Sequence, residues 1–416
     1  MKSSVKSFAI LFGLVAAFSF AACKVSVNPK DDNHEYTVKF NSMGGSPVES
    51  QTVVKGQKAS RPADPTKVTT NQETYYFLNW YTSTNKGQPL SSTAFSFNTP
   101  ITSNITLYAK WTDTDLELPL TLEFISSGTV TVSNPWSTLK YSKNGSDLLA
   151  YTGDITVNAD DKICLYAQES ENTELTRMII NCSSDCYIYG NVMSLVTFDS
   201  QTGEWDPYAS SVSSYAFYRL FINNSHIKNH DEKKIYLPAT TLANHCYFSM
   251  FSGCTKLTAA PDLPATTLTN HCYQYMFKDC TSLTTAPALP AITLSNYCYF
   301  SMFSGCTSLT AAPALPATTL ARFCYEYMFK DCTSLTTAPD LPATTLADYC
   351  YNSMFSGCTK LNSIKCLATD ISASGCTGGW VNSVSQTGTF TKNKNMNDWA
   401  TGSDGIPSGW TVKNAN

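Results

Sequence analysis

The sequence predicts a multidomain chain: a β-rich N-terminal module, a β-sandwich-like middle module and a C-terminal α/β solenoid of 26-residue coils. Three observations predict it. Apolar and polar residues alternate between residues 36 and 111, with frequent turns between the runs. A second set of alternating runs fills residues 116–215. From Leu237 a 26-residue text then returns at Leu263, Leu289, Leu315 and Leu341 with no insertion. The predicted boundaries are 1–22 for an export signal, 23–34 for a tether, 35–112 and 116–215 for the two β modules, 217–366 for the solenoid with a degenerate opening coil, and 367–416 for a C-terminal cap.

The chain has 416 residues, and its net charge of -4 comes with only 28 Lys and Arg. No basic run could follow a phosphate backbone, so nucleic acid is not an expected partner. The first residues read "MKSSVKSFAILFGLVAAFSFAACK". Lys2 and Lys6 make a basic start, residues 8–20 an apolar stretch, and Ala21 and Ala22 a small-residue end before Cys23, which is the layout of an export signal. The small-small-Cys ending resembles a bacterial lipobox. The resemblance implies cleavage before Cys23, lipid on its sulfur, and an exported lipoprotein anchored in a bacterial membrane, at the outer membrane and facing the surroundings. An ordinary secretory signal ending near Cys23 is the plainer alternative.

In the first module, "YTVKFNSMGG" sets Tyr36, Val38 and Phe40 on one face and turns at Gly44 and Gly45. "YYFLNWYTS" and "ITLYAKW" follow. Tyr76, Phe77, Trp80, Phe95, Tyr108 and Trp111 supply the large side chains that so small a core needs. Residues 36–111 resemble the Listeria–Bacteroides, or internalin B-type, repeat. That resemblance implies a β-grasp-like extracellular module acting as spacer or adhesion unit. A sugar platform built on exposed aromatics is the other reading of its tryptophans.

The middle module joins further alternating runs through Asn-Gly and Gly-Asp turns. Its Cys164, Cys182 and Cys186 are spaced unlike a zinc site, and free thiols or one disulfide both fit.

Each repeat, as in "LPATTLANHCYFSMFSGCTKLTAAPD", places Leu242, Cys246 and Met250 four apart, with Tyr247 and Phe251 beside them. That is helical spacing. Thr241 is placed to cap the start and Gly253, replaced by Asp279 and Asp331 in alternate copies, to make a left-handed exit. Pro261 and Pro264 limit the rest to short extended pieces. Stacked coils would share a core of Leu242, Cys246, Met250, Phe251, Cys254, Leu257 and their copies. The ten cysteines of the five copies are then read as buried free thiols: disulfides within a row are geometrically possible, yet each interior thiol has two equal neighbours and five coils leave one thiol per row unpaired. A nucleophilic role is not expected, because ten equivalent thiols cannot each own a base. The Met-Phe, Cys and Leu pattern of residues 217–366 resembles the Treponema-type leucine-rich repeats of BspA-like bacterial surface proteins, which implies surface display and binding to proteins or host surfaces.

The positions that vary between copies carry the functional expectation. They alternate with a double period of 52 residues, which duplication of a two-coil unit explains without function. The functional version makes Phe248, Tyr275, Phe300 and Tyr327 an aromatic binding strip. No cofactor, metal site or catalytic constellation is expected: only five His occur, and no phosphate cradle, zincin helix or nucleophile elbow is present. His226 and His230, four apart, form at most a weak metal pair. The expected protein is a non-catalytic surface lipoprotein that binds host or environmental proteins or glycans. The alternative is a structural or self-associating envelope protein.

Overall fold

The computed structural model describes residues 34–68, 74–86, 89–91, 94–169 and 177–415. The expected export signal and Cys23 lie outside them. The first module is one mixed sheet of β1 (Glu35–Asn41), β2 (Gln51–Val54), β3 (Lys67–Val68), β4 (Thr74–Tyr81) and β5 (Ile105–Thr112), in the order β2-β1-β5-β4-β3. β1 and β5 run parallel at its centre, with Val38 opposite Ile105. Val38, Trp80 and Leu107 are fully buried, and Phe40 meets Trp80 edge-on at 5.0 Å. The Gly44–Gly45 turn has a specific cause. Gly44 lies at φ +90°, and a Cβ on Gly45 would sit 2.4 Å from the Trp111 ring, whose Nε1 donates to the Ser42 carbonyl.

The middle module contains β6 (Thr121–Phe124), β7 (Gly128–Ser133), β8 (Lys140–Lys143), β9 (Leu149–Ala150), β10 (Ile155–Val157), β11 (Lys162–Tyr166), β12 (Ile179–Cys182) and β13 (Cys186–Asn191). One sheet has the order β10-β7-β12. The other runs β13-β6-β11-β8-β9 and is extended by β14 (Ile227–Asn229) and β15 (Ile235–Tyr236), both parallel to β13. These two short strands fill the insertion between the opening coil and the first regular copy. They splice the repeats onto the middle sheet, and a single apolar core runs from Leu122 through Ile188 and Ile227 into the coils.

The α/β leucine-rich-repeat solenoid expected for the C-terminal half is overturned, and with it the fold class read from the sequence. Among the described residues no α-helix occurs, the chain is nearly all β, and its sheets are not those of a solenoid. The described residues of the first module likewise contain no helix. Between β15 and β16 (Ser363–Cys366) there is no named strand, only isolated parallel bridges such as Thr241 with Thr267 and Thr293 with Thr319.

The segments expected to be helical are ribbons of consecutive turns, at 244–253, 270–279, 296–305, 322–331 and 348–357. Their hydrogen bonds alternate. The amides of Tyr247, Ser249 and Phe251 donate to the carbonyls of Cys272, Gln274 and Met276 in the next coil, at 2.9–3.0 Å. The amides of Phe248, Met250 and Ser252 donate instead three residues back within their own coil. Every fourth residue takes a left-handed conformation: His245 at φ 60°, Ser249 at 50° and Gly253 at 75°. Such a ribbon repeats every four residues and so brings Cys246, Met250 and Cys254 to one side. The i, i+4 pattern was sound, but a turn ribbon satisfies it without the rotation per step of a 3.6-residue helix. The left-handed positions cost backbone strain, offset by the hydrogen bonds between coils and by side-chain stacking.

The ribbon recurs outside the regular copies, at 214–223 in the opening coil and at 374–383 in the predicted cap. Trp380 in the last ribbon closes the stack, lying over Tyr351 at 6.2 Å and under Trp399 at 5.5 Å. The end is sealed by the parallel strands β16, β17 (Thr389–Lys392) and β18 (Thr411–Asn414).

Candidate functional site

Two columns of rings fill the interior of the stack. Tyr247, Tyr273, Tyr299, Tyr325 and Tyr351 stack in near-parallel planes at 5.7–6.1 Å, and Phe217 begins the column 5.4 Å from Tyr247. Phe221, Phe251, Phe277, Phe303, Phe329 and Phe355 form the second column at 5.7–5.8 Å. The core residues named from sequence lie here: Cys246, Met250, Phe251, Cys254 and Leu257 are fully buried and Leu242 nearly so.

The cysteines line the same interior. All fifteen described cysteines are free. The Cys280, Cys306, Cys332 and Cys358 thiols each donate to a phenylalanine carbonyl of the preceding coil at 3.0–3.1 Å. Burial pushes Cys280 and Cys358 up to about 12, so these groups remain protonated thiols. Cys182 and Cys186 differ, with sulfurs 3.6 Å apart across the β12–β13 turn.

Phe248, Tyr275, Phe300 and Tyr327 come together as one strip. All four are half-buried. Phe248 meets Tyr275 at 5.4 Å and 83°, Tyr275 meets Phe300 at 5.3 Å and 84°, and Phe300 meets Tyr327 at 5.6 Å and 74°. Edge-to-face contacts of this kind are the favoured aromatic geometry. The ring alternates between two neighbouring ribbon positions. Where Phe248 or Phe300 projects, the next residue is a buried Ser249 or Ser301; where Tyr275 or Tyr327 projects, the residue before it is a buried Gln274 or Glu326.

The double period therefore has a steric content. The same holds at the ribbon exit: a Cβ on Gly305 would lie 2.2 Å from the Asp279 carboxylate, and one on Gly357 2.1 Å from that of Asp331. Alternate coils fit each other as large against small.

Sequence reasoning missed part of the strip. Tyr218 of the opening coil, itself buried, closes its end, stacked on Phe248 at 4.7 Å. In the opening coil, "YRLFINNSHI" echoes "FSMFSGCTKL", so that Tyr218 falls at the place of Phe248. Cations border the strip: Arg219 lies over Tyr218 at 5.2 Å, Lys278 over Tyr275 at 5.9 Å and Lys330 over Tyr327 at 5.5 Å. A second row runs alongside, in which Tyr215, His245, His271, Tyr297, Phe323 and Tyr349 stack at 4.4–4.9 Å. His226 and His230 do not meet as a pair: His226 contacts Asp185 at 3.0 Å, and His230 packs against Tyr187 and Tyr189.

Comparison with known proteins gives a family match for the first module. Residues 36–110 match the Listeria-Bacteroides repeat domain. This repeat points to a surface or adhesion-type protein. A protein of Evansella cellulosilytica described as "Putative membrane protein" is 30% identical over 198 residues, covering 40% of this chain and 28% of that protein. The match thus spans little more than a quarter of that relative. No solved structure matches the chain. Among the described residues no helix is long and apolar enough to cross a membrane.

Proposed function

We propose that the chain is a non-catalytic surface lipoprotein, anchored through Cys23 at the outer membrane, that binds host or environmental proteins or glycans along its coil stack. The two aromatic rows carry this reading. They run side by side over successive coils, half-exposed, with arginine and lysine at their border. Tyrosine with a neighbouring cation is a common anchor in protein interfaces, and aromatic faces also receive sugar rings. The Listeria-Bacteroides repeat supports display outside the cell, where the first two modules would act as a stalk.

A pull-down against matrix protein, mucin and whole cells tests the proposal, comparing wild type with a Tyr275→Ala/Tyr327→Ala variant. The reading expects at least one target to be retained by wild type and released by the variant. Equal retention of every target would remove the strip from the account. It would then favour a structural envelope role, in which the stack extends or pairs with copies of itself.

A further inference from the structure

A second feature lies away from the coil stack, where the first module meets the middle one. A cleft of about 450 Å³ opens there, between the end of β4, the loop before β5, the β8–β9 turn and the loop at 203–207. That volume falls among those of small-molecule sites, roughly 300–1,000 Å³. The walls are held together across the junction. The Ser96 hydroxyl and the Asn98 amide both donate to the Asp147 carboxylate, at 2.5 and 2.8 Å, and Lys162 lies 3.8 Å from Asp64. The cleft is preformed.

We infer that this cleft is a binding site for a neutral saccharide, with the rings of Tyr81, Phe95 and Trp205 as its apolar wall and the Glu204 carboxylate accepting from sugar hydroxyls. The charge inventory selects the class. Lys110 is the one lysine or arginine of the lining and is occupied over the Tyr81 ring at 5.4 Å. Against it stand Glu117, Asp147 and Glu204. This excess of acid disfavours phosphates, uronic acids and other anions. Two of the three carboxylates are already engaged, Asp147 as above and Glu117 with the Tyr208 hydroxyl at 2.6 Å. Among the described residues the Glu204 carboxylate makes no hydrogen bond or ion pair, so it is the acceptor left for a ligand. Rings that cover the C–H face of a sugar, together with a free acceptor for its hydroxyls, suit a molecule that is apolar on one side and polar at its edge. The site is independent of the aromatic strip.

Isothermal titration of the secreted-length chain with glucose-, galactose- and N-acetylhexosamine-terminated oligosaccharides tests the inference, with a sialylated oligosaccharide and an oligolysine peptide as further arms. At least one neutral sugar should bind. Trp205→Ala and Glu204→Gln should each weaken it on the order of tenfold or more, while Trp205→Phe should largely retain it and Tyr275→Ala should leave it unchanged. Glu204 is exposed, so its variant tests the site without disturbing the fold. Failure of every neutral sugar to bind, binding indifferent to both substitutions, or binding of oligolysine in place of sugars would overturn the assignment. Loss on Tyr275→Ala instead would move the sugar to the strip.

Discussion

Glu326 offers a direct test of how the turn ribbons treat polar residues. It occupies the position that Phe300 fills one coil earlier and Gln274 two coils earlier, and its residue is only 7% exposed. Desolvation raises its carboxyl from 4.5 to about 7. A displacement of that size corresponds to about 3 kcal/mol. The carboxylate itself is only partly withdrawn from water, which reduces the expected effect to about 1–2 kcal/mol.

The sign follows from linkage. The folded state holds the proton more tightly than the unfolded chain, so this contribution to stability is full below the unfolded value of 4.5 and is lost as pH rises through about 7. Glu326→Gln reproduces the residue already present at Gln274, which hydrogen-bonds His271 at 2.5 Å. The variant should match wild type in urea denaturation near pH 5 and exceed it by about 1–2 kcal/mol near pH 8. A constant difference across that range, or a less stable variant at the higher pH, would refute the burial argument.

Three further outcomes follow from the packing. Phe303→Ala, in the middle of a fully buried ring column, should cost about 3–5 kcal/mol and lower the thermal midpoint of the stack. Gly305→Ala should destabilise by about 1–2 kcal/mol through its φ of 77° and its approach to Asp279, and by less in an Asp279→Ala background, as a double-mutant cycle would register. Asp185 collects Lys228, Lys256 and His226 at the join between the middle sheet and the first regular coil, and these cations hold its carboxyl well below the usual range. Its contribution is present above the ordinary carboxylate value and fades as pH falls through the depressed one, so Asp185→Asn should remove about 1 kcal/mol at neutral pH and flatten part of the acid-unfolding curve.

The repeat length and the interior residues were legible because stacking demands the same side chain at the same place in each coil. Met250, Phe251, Cys254 and Leu257 face inward as read. The local conformation was not legible from that pattern. A four-residue turn ribbon and a 3.6-residue helix bury nearly the same positions over two turns, and only the sites forced to positive φ tell them apart. One of those sites, the Gly253 and Asp279 position, was read as a helix exit. Of the other two, one carries His245, a type enriched at positive φ, but Tyr297 replaces it two coils on, and Ser249 and Tyr275 at the second give little hint of a left-handed backbone. The strip was recoverable because its rings recur with the 52-residue double period, Phe248 with Phe300 and Tyr275 with Tyr327. The cleft was not, since Tyr81, Phe95, Asp147 and Trp205 come from distant stretches that share no pattern and meet only through the docking of two modules.

Everything in the C-terminal half depends on residues 26 apart being neighbours. Thr241 and Thr267 are exposed and bridged in parallel, so their Cα atoms should lie near the strand spacing of about 5 Å, within reach of a disulfide. A Thr241→Cys/Thr267→Cys double variant, mildly oxidised in the folded state and mapped by non-reducing peptide mass spectrometry, should cross-link in high yield, while Thr241→Cys/Thr255→Cys should not. Absence of the first cross-link, or equal yields from both pairs, would contradict the stacked-coil architecture.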